Sequence, residues 1–144
     1  MKAVNYLKDQ NIKFIATNED LSDPGPIPGL IYPAAGCMSN CIANMSGRKP
    51  TVMGKPNTAT FEYILTKIGI DPKKTLMIGD RGDTDMMFGN VHGMDTMLAL
   101  SGICQLDDVE KFKKEGKKDF IPKYWVSSIG ELLKHEKNSI EQGF

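Results

Sequence analysis

Neither sign of charge is in excess in this chain: its 144 residues carry 18 Lys plus Arg against 18 Asp plus Glu. Nucleic-acid binding by counterion release depends on a positive surplus, so nucleic acid is not expected as the main partner. A polybasic attachment to a membrane surface is not expected either. No apolar run approaches the roughly 20 residues that span a bilayer. The opening residues, Met1-Lys2-Ala3-Val4-Asn5-Tyr6, lack an apolar core followed by a small-residue cleavage site. Cysteine is scarce: three residues, an odd number without dense spacing, favour reduced thiols and a cytoplasmic location over a disulfide framework. There is no internal repeat and no low-complexity tract. What remains, 40% hydrophobic and 25% charged, is the composition of a folded soluble protein of about one domain.

Hydrophobic spacing predicts a helix over 2–10 and a short buried strand over 12–16. The segment 21–33 holds Pro24, Pro26, Pro28 and Pro33 with Gly25 and Gly29, and is expected to be loop. A helix is expected over 34–46, closed by Gly47, with Arg48 and Lys49 near the negative end of its dipole. Further strands are expected over 51–53, 75–80, 96–100 and 124–126, and helices over 58–68, 84–91, 107–116 and 129–137. Strands and helices alternating through short loops call for α/β architecture with a parallel, helix-covered sheet. Composition shifts near Thr51, where the Pro/Gly-rich section gives way to regular alternation, and a domain boundary is placed there.

Two features carry chemistry. The first is Ile78-Gly79-Asp80-Arg81-Gly82-Asp83-Thr84-Asp85, in which an apolar strand ends in Gly-Asp and a further carboxylate follows as a helix begins. Acids beyond the carboxyl edge of a parallel sheet face the usual ligand crevice, and Mg²⁺ takes one or two such carboxylates with waters and phosphate oxygens. Spacing alone leaves an alternative open, in which Asp80 starts a turn and Asp83 or Thr84 caps a helix. The second feature is Gly54-Lys55-Pro56-Asn57-Thr58, a lysine in a turn just before a helix, where an ammonium and unpaired N–H donors can meet a phosphate. A solvated surface lysine is the competing reading. A Walker loop is excluded, because Lys49 stands where its first glycine belongs and Pro56 replaces its Ser or Thr.

Together, Val52-Met53-Gly54-Lys55-Pro56 and Leu76-Met77-Ile78-Gly79-Asp80-Arg81-Gly82-Asp83-Thr84-Asp85 resemble motifs III and IV of haloacid dehalogenase (HAD) superfamily phosphatases. The subgroup is IIA, with a large α/β C2 cap, which includes NagD-type nucleotide phosphatases, 4-nitrophenyl phosphatases, phosphoglycolate phosphatases and pyridoxal phosphatases. Phe14-Ile15-Ala16-Thr17-Asn18-Glu19-Asp20, Tyr32-Pro33-Ala34-Ala35-Gly36, Ser46-Gly47-Arg48-Lys49-Pro50 and Leu100-Ser101-Gly102-Ile103 extend the likeness, and the second and third look most like the NagD branch. The resemblance implies a HAD-like Rossmannoid parallel sheet, with 1–52 the C-terminal part of the cap and 53–144 the C-terminal part of the catalytic core. It implies an Mg²⁺-dependent phosphatase of small phosphorylated metabolites such as nucleoside monophosphates, 4-nitrophenyl phosphate or phosphoglycolate. Asp80 would be the metal ligand, and Asp85 would hold a metal-bound water or Lys55. Lys55 would neutralise phosphate, and Asn18 and Asp20 would lie where the cap meets the leaving group.

One departure qualifies this. The family's nucleophile lies in an Asp-x-Asp-Gly-Thr motif and becomes an aspartyl-phosphate; this sequence has no Asp-x-Asp followed by Gly-Thr. The chain is therefore expected to hold the lysine-and-metal side of the site without the nucleophile, and to be inactive alone. It would then leave an apolar edge at 75–78 and be marginally stable without partner strands. Partners would be a homo-oligomer through the cap, or a chain supplying the N-terminal half. The alternative is a non-catalytic binding or assembly module of the same fold. Cys37 and Cys41, four apart, are expected to be buried thiols rather than zinc ligands. His92 and His135 are read as surface or capping residues. Met86, Met87, Met94 and Met97 are read as packing, and Lys111 to Lys118 as a solvated helix end.

Overall fold

A computed structural model of the chain describes residues 2–133. It divides into two compact units, Met1–Tyr63 and Ile64–Phe144.

The first unit contains α1 (Lys2–Tyr6), β1 (Ile15–Ala16), β2 (Ser22–Pro24), β3 (Ile31–Pro33), α2 (Ala35–Ser46), β4 (Thr51–Val52) and the start of α3 (Thr58–Ile68). β1 and β4 pair in parallel, Ile15 opposite Thr51 and Ala16 opposite Val52. α1 is shorter than its periodicity suggested. Asn11 N–H donates to Asp9 Oδ1 (2.9 Å) in a side-chain turn that competes with further helix. The carbonyl end of α1 is served by Arg48, whose Nη1 donates to Leu7 O and Asp9 O, each at 3.1 Å. α2 ends as expected at Gly47, in the left-handed conformation (φ 68°), with its N–H donating to Ala43 O.

The segment 21–33 is not a plain loop. β2 and β3 form an antiparallel ribbon with Ser22, Asp23 and Pro24 opposite Pro33, Tyr32 and Ile31. Proline tolerates this because a two-stranded ribbon has an outer edge where its missing N–H costs nothing. Gly25 N–H to Leu30 O (2.7 Å) closes the turn. A second correction concerns α2: Cys37 and Cys41 are exposed, not buried. The helix packs through Gly36, where a Cβ would overlap the Glu19 and Asp20 backbone, and both thiols lie on the outward side.

The second unit is a parallel sheet of β5 (Leu76–Gly79), β6 (Asp95–Ala99) and β7 (Tyr124–Val126), in the order β5-β6-β7. The register sets Gly79 opposite Leu98 and Ala99 opposite Val126. The helix expected over 84–91 begins earlier and differently. Gly82–Met86 is a wide π-type turn, with Asp85 N–H and Met86 N–H both donating to Arg81 O, and α4 (Met87–Val91) continues it. α5 (Leu106–Lys114) opens on a reciprocal capping box between Gln105 and Asp108. Met86 and Leu98, 0% and 1% exposed, form the core with Cys104 and Val109. Burial of side chains of this size is worth about 1.5–3 kcal/mol each. Thr96 is the polar residue at the centre. It donates to Asn90 Oδ1 (3.2 Å) and accepts from Lys123 N–H (3.0 Å), while Asn90 Nδ2 donates to Asp119 O and Ile121 O. Of the helix expected over 129–137, residues 131–133 are helical after a turn at 129–130, and 134–137, with His135, lie outside the described residues. No helix among the described residues is long and apolar enough to cross a membrane.

Candidate active site

The aspartate that follows β5 is held through both its side chain and its backbone carbonyl. Asp80 Oδ2 accepts from Ile103 N–H at 3.0 Å, and Asp80 O accepts from Cys104 N–H at 2.9 Å. Gly102 makes this possible, because a Cβ there would overlap the Asp80 side chain. The loop after β6 therefore lies directly on the acid that ends β5. Asp80 is half-buried, and the Ile103 bond uses one of the roughly four lone-pair positions of a carboxylate.

Asp85 turns inward and is 4% exposed. Its Oδ2 accepts from Asp80 N–H (3.0 Å) and Arg81 N–H (3.1 Å). Gly79 must be glycine here, since a Cβ would overlap the Asp85 carboxylate. The wide turn through Gly82–Met86 thus serves to bring a carboxylate back under the backbone of Asp80. Asp83 is committed elsewhere: Arg81 Nε and Nη2 donate to its two oxygens at 3.0 and 2.8 Å. The Arg81 hydrogen bonds, with the guanidinium charge behind them, hold the Asp83 carboxyl below its usual value although partial burial opposes this. Burial pushes the Cys104 thiol up, which suits an inert packing residue.

The other predicted residues lie in the first unit. Gly54 sits so close to the preceding segment that a Cβ would overlap Thr17 O and crowd Asn18. The Gly54-Lys55-Pro56 turn and Asn18 are therefore neighbours, as the β1–β4 pairing requires. The Lys55–Pro56 peptide is cis, and Asn57 closes the turn by donating N–H and Nδ2 to Gly54 O at 3.0 and 3.1 Å. Lys55 is exposed, and α3 starts three residues later. Asn18 Oδ1 accepts from Asp20 N–H (3.2 Å), and Asp20 O accepts from Gly36 N–H (2.8 Å). The Tyr-Pro-Ala-x-Gly motif thereby anchors the loop that carries Asn18 and Asp20.

The donor set suits a hard divalent cation. Among the described residues no group of three His, Cys, Asp or Glu side chains converges. A caged zinc or calcium site needs such a group, whereas Mg²⁺ keeps most of its waters and asks the protein for one or two carboxylates. Asp80, oriented and on the carboxyl edge of a parallel sheet, meets that requirement.

Residues 52–132, more than half the chain, match the family model described as HAD-hydrolase-like. The chain belongs to the HAD-like hydrolases. Human chronophin is 37% identical over 135 residues, covering 91% of this chain and 44% of that protein. The structure of NagD from E. coli K-12 superposes with a TM-score of 0.70 at 32% identity, over 90% of this chain and 46% of that one. 4-Nitrophenylphosphatase from Thermotoga maritima gives 0.73 at 29% identity, over 92% and 47%. These neighbours bear out the subgroup with NagD and the 4-nitrophenyl phosphatases, and the α/β class with parallel strands. The chain spans less than half the length of the curated relatives it matches.

Sequence reasoning missed the partners of this candidate site. Ile103 N–H and Gly102 were visible only as Leu100-Ser101-Gly102-Ile103. Nothing in that string says that its amide reaches an acid 23 residues earlier.

Proposed function

We propose that this chain supplies the lysine-and-metal half of an Mg²⁺-dependent phosphatase acting on small phosphomonoesters. The observation that carries the reading is the fixed Asp80 carboxylate at the end of β5, pinned by Ile103 N–H and underpinned by Asp85. The relatives include 4-nitrophenylphosphatase and glycerol-3-phosphate phosphatase, whose names support the substrate class.

In this reading Asp80 holds Mg²⁺, which when bound neutralises phosphate charge. Asp85 keeps the backbone at Asp80 and Arg81 in place, so that the ligating carboxylate is oriented before substrate arrives. Lys55 pairs its ammonium with the phosphate, assisted by the N–H donors at the start of α3. Asn18 and Asp20, on the anchored loop, contact the leaving group. Residues 1–52 belong to the cap and 53–144 to the core. The nucleophile comes from an Asp-x-Asp-Gly-Thr segment not found in this sequence. A homo-oligomer through the cap is compatible with this, and the compartment is the cytoplasm.

The test is hydrolysis of 4-nitrophenyl phosphate with Mg²⁺ by the purified chain, alone and mixed with the nucleophile-bearing N-terminal half of a relative. Turnover is expected only in the mixture, and Asp80→Asn or Lys55→Ala should lower it by at least about a hundredfold. Robust turnover by the chain alone would overturn the requirement for an added nucleophile. A mixture insensitive to Asp80→Asn would overturn the metal assignment.

A further inference from the structure

α2 contains no charged side chain between Ala35 and Ser46, and four of its exposed residues carry sulfur, beside Ala35, Asn40 and Asn44. Cys37 and Cys41 are exposed, and Met38 and Met45 are 58% and 60% exposed. At about 100° per residue, Cys37, Cys41 and Met45 fall within roughly 80° of one another around the helix, and Met38 within about 100° of Cys37. Side chains four apart have Cβ atoms about 5–6 Å apart. Thiolate sulfurs bridged by one ion at bonds of about 2.3 Å stand some 4.6 Å apart, within reach of rotation about χ1.

From this placement we infer that Cys37 and Cys41 form a two-thiolate site for a soft monovalent metal ion, copper(I). The donor chemistry selects the ion. Thiolate and thioether sulfur favour copper(I), whereas hard cations require carboxylate or carbonyl oxygen, and α2 offers no carboxylate. Zinc requires about four N or S donors, and two thiols on one helix fall short. On binding, two S–H bonds break, two Cu–S bonds form, and two protons pass to solvent. The copper stays in its +1 state, and a neutral dithiol becomes a complex of charge −1. The third cysteine, Cys104, is buried in the other unit's core and takes no part.

The experiment is anaerobic titration of the reduced full chain with copper(I) held by a chromophoric chelator. One equivalent per chain should leave the chelator, with a thiolate-to-copper charge-transfer band appearing in the ultraviolet. Cys37→Ser and Cys41→Ser should each abolish that uptake with the helical circular dichroism unchanged, because both positions face outward. No withdrawal from the chelator, uptake of half an equivalent, or uptake that survives in the Cys37→Ser/Cys41→Ser double variant would each overturn the proposal. The double variant keeps Cys104, so surviving uptake would place the metal there. Phosphatase turnover does not enter the measurement, so its outcome is independent of the proposed activity.

Discussion

Replacing Asp85 by alanine tests whether that carboxylate is the keystone of the loop beneath the proposed metal ligand. In the structure one oxygen accepts from two backbone N–H groups, those of Asp80 and Arg81, at 3.0 and 3.1 Å and at a residue 4% exposed. Hydrogen bonds to a charged acceptor are worth about 1.5–3 kcal/mol, and a donor left buried without an acceptor costs about 1–3 kcal/mol. Water can enter part of the space that alanine leaves, so about 3 kcal/mol is expected rather than the sum of both maxima. That is a large share of the roughly 5–15 kcal/mol that stabilises a domain. The direct readout is amide exchange. At about 1.4 kcal/mol per factor of ten, the Asp80 and Arg81 amides should exchange roughly a hundredfold faster in Asp85→Ala. Amides of β7 should slow or quicken only with global stability, and Asp85→Asn, which keeps an oxygen acceptor, should fall between. Unchanged protection at Asp80 and Arg81 in Asp85→Ala would refute the reasoning, whatever happened to catalysis.

Other expectations follow from the same geometry. Gly54→Ala forces a Cβ into Thr17 O, and overpacking against backbone should cost about 1–3 kcal/mol in urea denaturation. Gly102→Ala should push the Asp80 side chain aside and raise the Mg²⁺ concentration needed for half-maximal activity of the complemented enzyme, with little change at saturating Mg²⁺. The Asp83 carboxyl is lowered chiefly by its Arg81 hydrogen bonds. A group whose folded value lies below its unfolded one stabilises at pH above the unfolded value, and that contribution disappears as pH falls through the folded value. Arg81→Gln should therefore flatten the acid limb of the stability curve below about pH 4, as followed by circular dichroism. β5 has β6 on one side and no strand among the described residues on the other. The chain alone should show a low, protein-concentration-dependent melt, and a sharp concentration-independent transition would count against that.

Much of the framework was legible because its cause is local. α3 shows its apolar side at Phe61, Ile64, Leu65 and Ile68, and β7 is three large residues between a proline-containing turn and a serine pair, so both are found where periodicity placed them. The misreadings share another cause. Pro24 and Pro33 suggested loop, yet a two-stranded ribbon has room for missing donors at its margins. Cys37 and Cys41 suggested burial by residue type, but the buried side of α2 is set by Gly36 meeting Glu19 and Asp20, a contact across sequence that no periodicity reports. The candidate acids were readable because Gly79-Asp80 closes an apolar strand. The way they are held was not, because Ile103 N–H and the π-type turn at Gly82–Met86 are tertiary facts. A helical pattern over 84–91 carries no mark of which oxygen Asp85 will lend to which amide.

The bond from Ile103 N–H to Asp80 Oδ2 has a use outside chemistry altogether. An amide proton that shares its acceptor with an incoming cation is deshielded less as electron density is drawn away. Under the proposed metal assignment its resonance becomes a built-in gauge of occupancy, readable one residue at a time while substrate and turnover are absent. Ile103 is exposed and Asp80 is not fully covered, so the gauge can be followed through a magnesium titration without disturbing the fold that carries it.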